Sequence, residues 1–213
     1  MTDTVLLPAN SSGLFKDGEL QEHNFSNISF TEEDVGTDVS EFDLENADTS
    51  NVEDMSGMFS AERGEPTFDQ SNPFDQDISG WDTSNVKDMG SMFRNAESFN
   101  QDIGGWDTSN VINMGGVFSW AESFNQDIGE WDTRNIKYMI QMFTGAESFN
   151  QDISGWDTSN VENMVSMFRE AESFNQDISA WCVEKITQKP HRFDEYARFD
   201  GVDAKQPNWG EPC

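Results

Sequence analysis

Residues Phe149–Ser173 read FNQDISGWDTSNVENMVSMFREAES, and Phe174 begins the same phrase again. Working outward, tryptophan falls at 81, 106, 131, 156 and 181, always 25 residues apart. The block FNQDIGGW at Phe99–Trp106 returns with small changes at Phe124, Phe149 and Phe174. Each of the first four Trp is followed by D-T-[SR]-N-[VI]-x-x-M-x-x-[MV]-F-x-x-A. A weaker copy starts at Asp48 and keeps Asn51, Val52, Met55, Met58 and Phe59, with Ala47 in the Trp place and an insertion at 60–73. A fixed period of this length is the mark of a solenoid, because one unit cannot bury its own apolar face.

Two rhythms run inside a repeat. Val86, Met89, Met92, Phe93 and Ala96 follow helical spacing and predict a short helix, with Ser84 or Asn85 as its N-cap. A short strand is expected around Asp102–Ile103, closed by Gly104–Gly105. The fold class is therefore α/β: a right-handed, leucine-rich-repeat-like solenoid with one short strand and one short helix per coil. Residues 44–181 would form five to six coils. Residues 1–43, with Phe15, Phe25, Ile28 and Phe30, would cap one end, and residues 182–213 the other.

Composition restricts function. Of 213 residues, 41 are Asp or Glu against 12 Lys or Arg, a formal charge of -29 that repels nucleic acid and anionic membranes. A charged partner is expected to be cationic. The 17 Phe, 10 Met and 7 Trp in register argue for a core rather than disorder. No apolar run is long enough to insert in a membrane, and residues 1–12 lack the basic start and long apolar stretch of a signal peptide. Cys182 follows the last repeat Trp and Cys213 ends the chain. A disulfide between them would place the protein outside the cytosol; two free thiols are the alternative.

The phrase at Phe149 resembles the BspA-like leucine-rich-repeat surface proteins, of the type also found in mycoplasma lipoproteins. The resemblance runs from about Leu44 to Cys213, including Trp181–Cys182 and the ending Pro207-Asn208-Trp209-Gly210. It implies an extracellular or cell-surface module for adhesion or partner recognition, with no catalytic motif to carry over.

The columns of the repeat offer few sites. The Asn column (51, 85, 110, 135, 160) is expected to hydrogen-bond turn backbone. Asp77, Asp102, Asp127, Asp152 and Asp177 form one acidic column, and Asp48, Asp82, Asp107, Asp132 and Asp157 a second. Their carboxylates are expected to cap turns; the alternative is a row of calcium ions shared between coils. The Met columns read as core. Recognition is expected where repeats differ: Ile112, Trp120, Arg134, Tyr138 and Ile140 replace small or polar residues and form a candidate contact patch for a protein or glycan ligand. His23 and His191 sit in opposite end segments, with no nucleophile or metal motif around them, so no enzyme is expected. The runner-up function is a structural spacer or surface-layer element, stiffened by calcium and self-associating.

Overall fold

The computed structural model describes residues 5–21, 36–61 and 73–213. Phe25, Ile28, Phe30, His23 and most of the 60–73 insertion lie outside the described residues.

Residues 25 apart lie over one another. Asp88 bridges Asn113 in parallel register, Asn113 bridges Tyr138, and Tyr138 bridges Asn163. From each such bridge a ladder runs along the chain through alternate residues. The N–H groups of Met89, Ser91, Phe93 and Asn95 donate to the carbonyls of Asn113, Gly115, Val117 and Ser119, at 2.7–3.0 Å. The intervening residues turn back within their own coil: Met92 donates to Met89, Arg94 to Ser91 and Ala96 to Phe93.

This local geometry differs from the helix expected over Val86–Ala96. The apolar spacing is helical, but the backbone is a run of turns in which every second N–H leaves for the neighbouring coil. Ser91 and Asn95 have φ of 57° and 59°, and the equivalent Gly116, Trp120, Gln141, Gly145, Ser166 and Glu170 are also left-handed. A left-handed residue every four positions cannot continue an α-helix. The strand expected at Asp102–Ile103 is likewise irregular chain followed by a turn. Among the described residues the helical elements are three single 3-10 turns, Lys16–Gly18, Val39–Glu41 and Asp203–Lys205.

Packing follows the columns. Phe93 comes from the ladder half of a coil and Phe99 from the return half; their rings meet at 3.9 Å, so the two halves close on one another. Each ring also stacks on its copy in the next coil, as in Phe93–Phe118 at 5.9 Å and Phe99–Phe124 at 6.0 Å. The apolar columns through Val86, Met89, Met92, Phe93, Ala96, Phe99 and Ile103 are buried in every repeat from Trp81 to Trp181. The buried indoles carry a polar atom that needs a partner. Trp106 Nε1 donates to Ile78 O at 3.1 Å, and Trp131, Trp156 and Trp181 do the same to Ile103, Ile128 and Ile153. Thr83, Thr108, Thr133 and Thr158 hydroxyls donate to a carbonyl of the following coil.

At the N-terminal end, residues expected as a cap take the register of the coils. Ser11, Gly13, Phe15 and Asp17 donate to the carbonyls of Asp54, Ser56, Met58 and Ser60, and Phe15 stacks on Phe59 at 5.7 Å. Gly13 and Asp17 hold the two left-handed positions. At the other end the ring column changes direction. Phe193 and Phe199 meet Phe168 at 83° and 86°, edge to face, instead of stacking parallel. Trp209 lies edge-on to Phe193 at 4.9 Å, and a Cys182–Cys213 disulfide ties the final segment to the last repeat. Buried Asp194 is held there by Lys189 and by Gln206 Nε2 at 2.5 Å.

Candidate functional site

The two halves of each coil differ sharply in charge. The return segments 73–82, 96–107, 121–132, 146–157 and 171–181 contain fifteen Asp or Glu and no Lys or Arg. The ladder segments 83–95, 108–120, 133–145 and 158–170 contain five bases (Lys87, Arg94, Arg134, Lys137, Arg169) and three acids (Asp88, Glu162, Glu170). Stacking in register turns this sequence bias into two sides, one strongly acidic and one close to neutral. Segment 108–120 carries no charged residue at all. The signal was present in the sequence, but a charge count taken over long blocks of chain averages it away.

Acidic columns on the return side act on backbone. The Oδ1 atoms of Asp77, Asp102, Asp127, Asp152 and Asp177 each accept the N–H two residues on, at 2.9–3.0 Å. Asp48, Asp82, Asp107, Asp132 and Asp157 do the same with residues 50, 84, 109, 134 and 159. Hydrogen bonds from Ser79, Ser84 and Ser159 hold Asp77, Asp82 and Asp157 below the ordinary carboxylate range, because a donor favours the charged form. Asp107 is lowered the same way by Ser109, while the neighbouring charge of Asp82 pulls it the other way. Among the described residues no three potential metal ligands gather at one point. The Asn column links coils: Asn85, Asn110, Asn135 and Asn160 Nδ2 donate to a turn carbonyl of the preceding coil, at 2.7–2.8 Å.

The candidate contact residues fall on the ladder side in two groups. Ile112 and Tyr138 are neighbours across coils: the Tyr138 N–H donates to Ile112 O, and both side chains are exposed, at 41% and 40%. Ile140, half-buried, follows two residues on. Trp120 stands apart, further along the ladder. It is half-buried because its indole covers Gly145 of the next coil, where a Cβ would come within 2.2 Å of Trp120 Cε3. Arg134 lies on the turn and pairs with Asp132 at 2.8 Å.

Beside Ile140 the ladder side is indented. Where later coils carry Ile140 and Val165, two earlier ones carry Gly90 and Gly115, and the next column offers only Ser91 and Gly116. The result is an open depression of about 410 Å³ that also reaches Arg94, Asp88, Asn113 and Gln141. Asp88 lines the depression with its carboxylate already engaged, accepting from the Gly90 N–H at 2.7 Å and from Asn113 Nδ2 at 3.0 Å. Arg94 is exposed and has no acidic partner among the described residues. No helix among the described residues is long and apolar enough to cross a membrane.

Comparison with known proteins gives a family and no further guide. Neither the curated proteins nor the solved structures contain a match. The family model described as "Mycoplasma protein of unknown function, DUF285" matches twice, over residues 33–133 and 103–205. Those two overlapping matches together cover residues 33–205, and the chain belongs to this family of mycoplasma proteins of unknown function.

Proposed function

We propose that this chain is a non-catalytic solenoid module, displayed outside the cell, that recognises a protein or glycan partner through its ladder side. The observation that carries the reading is the separation of charge between the two halves of each coil. Fifteen acids, of which Asp132 pairs with Arg134, keep one side solvated and repel like surfaces, while the other side is nearly neutral and holds the exposed Ile112 and Tyr138. Surfaces used for binding are depleted of charge at their centre and enriched in aromatic residues. The disulfide agrees with an oxidising compartment. The likeness to BspA-like leucine-rich-repeat surface proteins agrees with display and adhesion.

The net charge of -29 is shared about equally by the return segments and residues 1–72, while the ladder segments are slightly basic, so it does not dictate a cationic ligand for the ladder side. Self-assembly as a spacer fits less well, since the edge-to-face rings at the C-terminal end break the parallel column that another copy would extend.

The test is binding of the labelled chain to immobilised glycans and matrix proteins, with two paired variants. Ile112→Ser with Tyr138→Ala should abolish saturable binding, and Asp127→Asn with Asp152→Asn should leave it intact. Loss in the acidic-side pair and retention in the ladder pair would overturn the reading.

A further inference from the structure

Resting on that reading, we infer that the glycine-floored depression beside Arg94 is a subsite for a carboxylate-bearing sugar ring. Gly90, Gly115 and Gly116 add no side chains to its floor, where the Asn113 amide lies against Gly90 and Gly115 and the Ser91 hydroxyl against Gly116. The glycine backbone has no spare donors. The Gly90 N–H goes to Asp88 and the Gly115 N–H to Asn113 Oδ1 at 2.9 Å, while the Gly116 N–H goes to Ile140 O at 2.7 Å. The glycines offer contact to a flat ring face and no hydrogen bond to it, and the side chains around them, Ser91 among them, form the rim.

Polar recognition must therefore come from the rim. Arg94 supplies five donors in a fork that fits a carboxylate, and Gln141, two coils further on, is exposed at the other end of the depression. A volume of about 410 Å³ lies within the usual range for small-ligand sites, about 300–1,000 Å³. One coil beyond Asn113, in the same column, Tyr138 offers an aromatic face to the next sugar of a chain. Lys137, next to it, is a second exposed cation without an acidic partner among the described residues. The acids of the return side lie across the core, and at physiological salt their field fades over about 8 Å. A ring with a carboxylate satisfies floor and rim together; a neutral sugar leaves Arg94 unused, and an acidic peptide has no flat ring for the glycines.

The experiment titrates the full chain with three probes: a galacturonate oligosaccharide, its carboxyl-reduced counterpart and a glutamate oligopeptide. The uronate should bind saturably, and the other two at least about tenfold more weakly, the scale of one charge-assisted pair. Arg94→Gln should lower uronate affinity by about tenfold. Gly115→Val should abolish it without unfolding the chain, because Val165 already occupies the same column and its N–H is held by Asn163 Oδ1 as that of Gly115 is by Asn113. Absence of uronate binding, equal binding of the reduced sugar, preference for the peptide, or full binding by folded Gly115→Val would each overturn the subsite. If the Ile112/Tyr138 pair still governs surface binding in that event, the ladder-side reading survives and the subsite alone falls.

Discussion

Trp120 and Gly145 occupy equivalent positions in successive coils, and the indole of the first fills the space that a side chain on the second would need. Both residues are left-handed, with φ of 61° and 67°. Gly145→Ala combines an unfavourable φ with a collision against the ring, so it should cost more than about 1 kcal/mol. Thermal or denaturant unfolding measures it. In a Trp120→Ala background the collision disappears and the cost should fall; an equal cost in both backgrounds would show that the ring and the glycine do not interact.

Phe118 lies within 3.8 Å of Phe124, measured between ring centres, and stacks on Phe93 and Phe143 at 5.9 and 5.7 Å. Phe118→Ala would open a hole in the middle of a close-packed column, with an expected loss of about 3–5 kcal/mol. Chemical denaturation should show a lowered midpoint for the whole transition, because coils stabilise one another through shared neighbours.

The turn carboxylates make an acid limb in the stability curve. Asp157 is held below the ordinary carboxylate value by the Ser159 hydroxyl and N–H. A lowered folded-state value means that its contribution is complete above about pH 4 and disappears as pH falls through that lowered value. Carbon-detected NMR titration should find Asp157 titrating below 3.8, and Ser159→Ala should raise it. An unchanged titration in the variant would remove the hydroxyl as the cause.

Reduction of Cys182–Cys213 frees a segment with a sequence separation of 31. Chain-entropy reasoning puts the loss at about 3–4 kcal/mol, confined to the end of the stack. Hydrogen exchange after reduction should speed up around Phe193 and Trp209 while Phe118 stays protected. Uniform loss of protection would mean that the end segment is not a separate unit.

Much of this architecture was legible in the sequence. The period, the buried columns and the hydrogen-bonding role of the Asn and Asp columns follow from residues such as Ile103, Asn110 and Asp102, whose copies repeat without exception in the later coils. The helix over Val86–Ala96 was a misreading with a physical cause. Spacing of three and four fits a run of turns as well as a helix, since both bring every third or fourth side chain to one side. Glycine at 57, 116 and 145, in the columns of Ser91 and Asn95, was the available sign of left-handed backbone. The register of residues 11–17 on 54–60 was hidden because only Gly13 and Phe15 keep the repeat's residue types there. Trp120 is less exposed than a contact residue would be because its ring lies over Gly145, which contributes through having no side chain.

The arrangement of charge on two sides is the claim on which the functional reading rests, and charged paramagnetic probes test it directly. Amide relaxation is measured once with a cationic nitroxide and once with an anionic one. The ratio of cationic to anionic effect should be large at residues 100–105, 125–130 and 150–155, and near unity at Ile112, Gly115, Tyr138 and Ile140. A ratio that is the same on both sides would contradict the account.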